Sequence, residues 1–523
     1  MNNTTVGDLF DSCSSSYGSH TAIKYNELSY TYRQMGENAY RLANAFLELG
    51  LQKGQRVAFL MSNCPEYIFT EYALAKIGAV RVPLAVLLSS DDHIYMMNHS
   101  EAVVLVYHEK LTERVLAMIP RLETVKYFIC VSSDPAKVPA GHLHLQSMMA
   151  SHTSQPTHVE VTSDDLCGIY YTGGTTGRPK GVMLSHRAWV NAVILEMLEL
   201  SLGRDETFAY MTPMTHAGGV LLLPVLMRRG ICLIMESFSP IHFLEQVEKE
   251  KVTAAMLVPT MIYSLLDFPD WAKYDTSSLR DILYGAAPIA PERLKQAITR
   301  YGPIFSQYYG QTESPMILTA LQKEEHVIDN PERERQIFSS CGRATITTQI
   351  KLIDENGKEV SGGEVGEIVA RSTFMMDGYY KDPEKTAATI QDGWLHTGDM
   401  ARRDEDGFIY IVDRAKDMII SGGYNIFPRE VEDVLFEHEA VKQVAVIGVP
   451  DDKWGEATKA IVVLNPGKSV TEAELIQFVK SRKGSLLAPK SVEFWEAIPL
   501  TNLGKLDKKK IREPYWRGRD RQI

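Results

Sequence analysis

The densest chemistry in the chain is the stretch Tyr170-Tyr-Thr-Gly-Gly-Thr-Thr-Gly-Arg-Pro-Lys-Gly-Val182. Gly173, Gly174, Gly177 and Gly181 let the backbone take positive φ and approach a ligand closely. Thr172, Thr175 and Thr176 add hydroxyls, and Arg178 and Lys180 add positive charge. Exposed N–H groups, hydroxyls and a lysine in one loop suit a polyphosphate. The segment follows an apolar strand, Cys167-Gly-Ile-Tyr170, and is expected to precede a helix starting near Ser185. It is not a Walker A loop, because Arg178-Pro179-Lys180 stands where that motif ends in Gly-Lys-Ser/Thr. Read alone, Glu313 is a surface carboxylate. Lys505 opens a tail with eight basic and three acidic residues and reads as part of a solvated face.

Other chemistries are excluded by what is missing. The 36 glycines include no Gly-x-Gly, which removes the dinucleotide fingerprint and the kinase glycine loop. No Gly-x-Ser-x-Gly elbow is present. The six cysteines (Cys13, Cys64, Cys130, Cys167, Cys232, Cys341) are never within 30 residues of one another, so paired zinc or redox motifs are absent and buried thiols are expected. The histidines form no HExxH, and a dedicated transition-metal site is not expected.

The elements that must position the loop come next. At 523 residues the chain is ~3.5 domain-equivalents. With 45% hydrophobic and 23% charged residues it has the balance of an ordinary globular protein. A net charge of −11 argues against a nucleic-acid-binding surface. The longest apolar run, about Val220 to Met227, is too short to span a bilayer, and no secretory signal is visible, so a cytoplasmic location is expected. From about residue 20 to 310, short β-rich runs such as 57–61, 103–107, 127–131, 231–235 and 254–258 alternate with amphipathic helices such as 40–49, 242–251 and 291–301. That alternation predicts βαβ units and parallel sheets. Near 345 the texture changes to short alternating strands, a β-subdomain. A final unit of about 110 residues reads as α+β.

The loop resembles the phosphate loop of the adenylate-forming enzymes: acyl-CoA synthetases, peptide-synthetase adenylation domains and firefly-type luciferases. The resemblance runs in order over ~340 residues, through Tyr308-Tyr-Gly-Gln-Thr-Glu313, Trp394-Leu-His-Thr-Gly-Asp399, Asp413-Arg-Ala-Lys416 to Asn425, and Asn502-Leu-Gly-Lys505. It implies an α/β fold: a large N-terminal domain of layered sheets plus the β-subdomain (1–413) and a small, mobile C-terminal domain (414–523). It further implies that a carboxylate and ATP give acyl-AMP and pyrophosphate, after which a thiol takes the acyl group.

The resemblance also implies roles residue by residue. Thr172, Gly173, Gly174, Thr175, Thr176, Gly177 and Lys180 would hold the phosphates. Glu313 and Thr172 would ligate Mg²⁺, a hard cation suited to oxygen donors, and Thr312 would touch the α-phosphate. Gly285, Ala286 and Ala287, with Gln307, Tyr308 and Tyr309, would form the adenine slot. Asp399 would accept the ribose hydroxyls and Arg414 would add a ribose–phosphate contact. Lys505 would bridge carboxylate and α-phosphate, Lys416 would be the hinge, and His216 would gate the acyl site. Ser421, Gly422 and Gly423 would line the pantetheine path. Gly173 stands where many relatives have serine, and Gln311 where others have Met or Leu.

The chain ends about 18 residues after Lys505, without a carrier domain, so coenzyme A is the expected acceptor. The wall segments Met214–Val220, Tyr284–Pro288 and Tyr308–Pro315 hold no Asp for an amino-acid ammonium group and are read as apolar, with Gly218 and Gly219 leaving room for a tail. A medium- to long-chain fatty acid is therefore the first expectation and an aryl or alicyclic acid the second. An acyl-AMP ligase loading a separate carrier protein, and a non-catalytic binding relative, are the alternatives. Expected partners are the acid, ATP and coenzyme A, with a homodimer left open.

Overall fold

The computed structural model describes residues 3–172, 178–414, 417–421, 424–451, 454–501 and 506–517. Among these residues the chain forms four sheets, of nine, eight, five and five strands. Local signals set the helix starts. Thr31 and Gln34 form a capping box ahead of Tyr32–Glu48, which therefore begins earlier than the hydrophobic period at 40–49 suggested. Pro291 opens Pro291–Tyr301 at the position where proline fits best.

The eight-stranded sheet is parallel around Arg56–Leu60, flanked by Val80–Pro83 and Ala102–His108. The nine-stranded sheet has a parallel centre running through Ile231–Ile234, Thr207–Tyr210, Ala254–Leu257, Asp281–Gly285 and Phe305–Gln311. Helices pack between and outside the two sheets over one large apolar core. Gln349–Ile353, Gly366–Arg371, Trp394–Arg403 and Ile409–Arg414 make the expected antiparallel β-subdomain. The last sheet, built on the long pair Val441–Asp451 and Gly455–Leu464, forms the smaller C-terminal domain with its own core. All six cysteines are buried free thiols. Among the described residues no helix is long and apolar enough to cross a membrane.

The site-bearing elements are β1 (Leu166–Thr172), β2 (Lys180–Ser185), α1 (His186–Glu199), α2 (Ala217–Val220), β3 (Asp281–Gly285), β4 (Phe305–Gln311) and β5 (Trp394–Arg403). The helix expected near Ser185 is present, and a strand that the sequence did not announce stands before it. The glycine–threonine segment is followed by a strand, not directly by a helix: β1 and β2 pair antiparallel, with Thr172 opposite Lys180. Helix α1 starts only after β2, its N-terminus capped by Ser185. The loop thus joins two paired strands, and the N-terminus of α1 lies at the far end of β2 from it.

Candidate active site

Three loops after parallel strands converge on one edge of the nine-stranded sheet. Ala286 and Ala287 follow β3, Thr312 and Glu313 follow β4, and His216 follows Thr207–Tyr210. In open α/β sheets ligands bind at these carboxyl ends. Strands β3 and β4 approach so closely that a Cβ on Gly285 would lie 2.3 Å from the Tyr308 carbonyl oxygen, so only glycine fits. Ala286 then takes a left-handed φ of 63°, an uncommon conformation for alanine that costs of order 1–3 kcal/mol and clusters at functional sites.

Beneath this loop the polar contacts are satisfied. The Tyr284 hydroxyl lies 2.9 Å from His326 Nε2 and 3.2 Å from the Gln307 side-chain amide. His326 Nδ1 lies 2.9 Å from the Gln322 carbonyl oxygen, so that nitrogen carries the ring proton and donates, and the Tyr284 hydroxyl shares its one proton between Nε2 and Gln307 Oε1. Burial lowers the His326 pKa to about 4. Gln307 and Tyr308 are buried, and the Tyr308 hydroxyl donates to the Glu199 carbonyl at the end of α1. The Tyr308 side chain therefore belongs to the core below the slot.

On one flank, Asp399 of β5 is 4% exposed. Its Oδ2 accepts from the Tyr309 hydroxyl at 2.7 Å and from Gln311 Nε2 at 2.8 Å. Gln311 also donates to the Thr397 carbonyl at 2.8 Å. Burial, then the neighbouring Asp399 charge, raises the Tyr309 hydroxyl well above the usual phenol range, so it stays a donor. Gln311, which as a sequence position is merely variable, is thus what orients the carboxylate. Its partner lies 88 residues away, and no local signal pointed to it.

On the other flank, Lys180 begins β2 with its ammonium 5.1 Å from the centre of the Tyr379 ring. The Tyr379 hydroxyl donates to Glu313 Oε1 at 2.8 Å. Tyr379 thus links the expected phosphate-binding lysine to the expected magnesium ligand. Its only sequence signal is an aromatic pair after Gly378. Burial, then Lys385, lowers the Lys180 pKa, while Glu313 and Asp382 work the other way. The donor type suits a hard divalent cation: the Glu313 carboxylate stands beside Thr312 in the turn after β4, while Thr172 ends β1 in the other sheet. Arg178 packs its guanidinium 5.2 Å from the Tyr95 ring.

The loop carrying His216 is pinned by Asn63, which the sequence did not single out. Asn63 Nδ2 donates to the Thr212 carbonyl at 3.0 Å and its Oδ1 accepts from the Met214 N–H at 2.9 Å. His216 Nδ1 lies 2.9 Å from the Thr215 hydroxyl. The reading of Gly218 and Gly219 as room for a tail is corrected. A Cβ on Gly219 would sit 2.0 Å from the Met214 carbonyl oxygen and one on Gly218 2.6 Å from that of Thr212. These glycines are required by the tight turn of their own backbone.

The C-terminal domain meets this edge through Arg429, whose guanidinium donates to the Ile289 carbonyl at 3.0 Å, just past the Gly285–Pro288 loop. Lys508 reaches Glu432 at 3.0 Å and Asp413 at 3.6 Å. Although burial opposes it, these carboxylates raise the Lys508 pKa. Ser421 is buried on the strand Ile419–Ser421. Gly173, Gly174, Thr175, Thr176, Gly177, Lys416, Gly422, Gly423 and Lys505 lie outside the described residues, and so does the side chain of Arg414.

Comparison with known proteins agrees with this arrangement. The family model described as AMP-binding enzyme matches residues 10–380, and that of the AMP-binding enzyme C-terminal domain matches 430–505. A medium/long-chain-fatty-acid–CoA ligase of Mycobacterium tuberculosis is 40% identical over 94% of this chain and 86% of its own. A feruloyl-CoA synthase of an Amycolatopsis species is 36% identical over 95% of this chain and 96% of its own. The structure of an amide bond synthetase from Marinactinospora thermotolerans superposes with a TM-score of 0.89 at 29% identity, covering 97% of this chain and 99% of that one. Adenylate-forming CoA ligases use ATP, Mg²⁺ and coenzyme A as co-substrate. The chain belongs to the AMP-binding, adenylate-forming enzymes and is an acyl-CoA synthetase of that superfamily.

Proposed function

We propose that this enzyme activates a hydrophobic carboxylic acid, with a medium- to long-chain fatty acid as first choice, and transfers it to coenzyme A. The observation that carries the reading is the convergence of Lys180, Glu313 and Asp399 on the carboxyl ends of the parallel strands, each tied to β4 or to Tyr379. The acid carboxylate attacks the α-phosphorus of ATP, an O–P bond forms, the α–β bridge breaks and pyrophosphate leaves. The coenzyme A sulfur, having given up its proton, then attacks the acyl carbon; a C–S bond forms and AMP departs.

Attack of an anion on an anionic phosphate needs positioning and charge neutralisation. Lys180 would supply one fixed cation and Lys505 a second. Glu313, with Thr172, would hold Mg²⁺, which neutralises phosphate charge when bound. Asp399, its orientation set by Tyr309 and Gln311, would accept the ribose hydroxyls. Gly285 to Ala287 would face the purine and His216 the acyl carboxylate. Ser421 and the following glycines would line the pantetheine path after the domain carrying 414–523 turns about Lys416.

Identity to the fatty-acid ligase and the apolar wall at Met214 and Leu221 to Leu223 support the aliphatic choice. An aryl acid is supported by the identity to the feruloyl-CoA synthase. The deciding experiment incubates the protein with Mg-ATP, coenzyme A and acids of C6 to C18, benzoates, cinnamates and amino acids, reading AMP and acyl-CoA by mass spectrometry. Acyl-CoA with AMP is expected. AMP and pyrophosphate without a CoA thioester would replace coenzyme A by a carrier protein, and neither product from any acid would overturn the reading.

A further inference from the structure

The hairpin of β1 and β2 is held by its ladder as far as the pair Thr172–Lys180. Arg178 lies beyond that pair, at the exit of the glycine–threonine loop, and is exposed. Its guanidinium carbon stands 5.2 Å from the centre of the Tyr95 ring, within the range of cation–π attraction. A ring holds a guanidinium without neutralising it, whereas a carboxylate in that place would offset the charge that a polyphosphate attracts.

Tyr95 belongs to the helix Ser90–Ser100, whose N-terminus is capped by Ser89. Four residues on, His99 shares its face, and the two rings stack at 5.2 Å and 26°. His99 Nδ1 and the Tyr171 hydroxyl are hydrogen-bonded at 2.8 Å. Tyr171 is buried and directly precedes Thr172 at the entry of the loop. The rings of Tyr95 and Tyr171 also meet edge to face at 6.5 Å. One helix face thus touches the loop's entry through His99 and its exit through Tyr95.

The same imidazole meets Tyr380 edge-on at 5.7 Å. The Tyr380 N–H donates to the Gly181 carbonyl at 2.8 Å, and Tyr380 follows Tyr379, the link between Lys180 and Glu313. The helix end is fixed as well. Glu101, at a left-handed φ of 54°, accepts from Lys381 at 2.8 Å and from Arg56 at 2.6 Å.

We propose that Tyr95 and His99 are positioning residues for the phosphates of ATP. They hold Tyr171 and Arg178, the two ends of the glycine–threonine loop, on one rigid helix face, and Tyr95 keeps the Arg178 charge at the loop's exit. The inference rests on residues 172–180 being the phosphate loop, as in the function proposed above. Glycine loses more conformational freedom on ordering than any other residue. Fixing the ends of a glycine-rich segment in advance lowers that cost, and the saving appears as affinity for the ligand it closes on. The effect therefore belongs to ATP and not to the later thiol step.

The test uses the full-length enzyme, reading Mg-ATP affinity by calorimetry and the two half-reactions separately. These are ATP–pyrophosphate exchange, and thioester formation from the supplied adenylate of an acid the parent accepts. Tyr95→Leu should raise the Kd and KM for Mg-ATP about fivefold and leave thioester formation within about twofold of the parent. Tyr95→Phe keeps the ring and should restore both values. Arg178→Gln should also weaken Mg-ATP, and combined with Tyr95→Leu the loss should be smaller than the two single losses together. Additive losses would separate Tyr95 from Arg178 and overturn the proposal. Unchanged Mg-ATP affinity in folded Tyr95→Leu, or both half-reactions reduced alike, would make the contact ordinary packing and overturn it too. Should Tyr95→Leu not fold, His99→Phe keeps the stack and removes the bond to Tyr171. Unchanged Mg-ATP affinity in both His99→Phe and Arg178→Gln would then overturn the proposal. A parent that binds no Mg-ATP would overturn the phosphate-loop reading itself, and this inference with it.

Discussion

The two flanks of the nucleotide site are built differently. On the flank proposed for the ribose, Asp399 is buried at 4% exposure and takes two hydrogen bonds on one oxygen from the neighbouring strand. On the flank proposed for the phosphates, Lys180 and Glu313 are half-buried, and Tyr379 links them through a ring face and a hydroxyl. A recognition group that always meets the same neutral hydroxyls is best held rigid, since its orientation is then set before binding. Groups that meet changing phosphate charge stay partly solvated. Full burial without partners would suppress their own charge.

The contrast gives predictions of decreasing size. Glu313→Gln keeps the shape and removes the charge, and should lower adenylation about 10²–10³-fold in ATP–pyrophosphate exchange. Its melting temperature should stay within a few degrees of the parent, and a large drop there would place Glu313 among the structural groups instead. Asp399→Ala should show the opposite balance. It leaves the Tyr309 hydroxyl without its acceptor and the Gln311 amide with only the Thr397 carbonyl, costing ~1–3 kcal/mol in denaturant unfolding along with a raised KM for ATP. An unchanged unfolding midpoint would mean that the ribose flank is not preorganised.

The floor of the Gly285–Ala287 loop should reveal its burial through pH. The His326 pKa is lowered to about 4 from the ordinary value of 6.5, so below pH 6.5 the unfolded chain takes up a proton that the folded one refuses. Stability contributed by this group is complete above pH 6.5 and is lost as pH falls toward 4, at ~1.4 kcal/mol per unit. The difference in unfolding free energy between parent and His326→Gln should shrink over that window, and a constant difference would remove His326 from the acid response. Tyr379→Phe is the mildest change. It retains the ring beneath Lys180 and deletes only the bond to Glu313, so adenylation should fall roughly fivefold, one ordinary hydrogen bond. A loss as large as that of Glu313→Gln would mean that the hydroxyl does more than orient the carboxylate.

How far the site could be read in advance depended on how local each cause is. The antiparallel β-subdomain, the βαβ alternation and the expected strands near 57, 103 and 127 appear almost as anticipated, because hydrophobic period is carried by neighbouring residues. The helix near Ser185 stands where it was expected, but β2 before it was not foreseen, because its existence depends on pairing with β1 and with Gly378–Tyr379 about two hundred residues away. Gly218 and Gly219 were legible as glycines but not as a close backbone approach, which exists only once Met214 has turned back over them. Asn63 and Tyr379 lie in no motif, and Gln311 is a variable position inside one. Their partners lie 151, 66 and 88 residues off.

From its sequence alone the protein declared a polyphosphate loop, an ordered set of motifs and hence an adenylate-forming chemistry. Residue types and spacing are sufficient where one short segment makes the ligand contacts itself. The tertiary structure decided which groups stand ready. It buried Asp399 with two donors, joined Lys180 to Glu313 through a tyrosine and moved Tyr308 into the core. Hydrogen bonding, burial and cavity shape arise between segments far apart in the chain, so they come into being only when those segments pack.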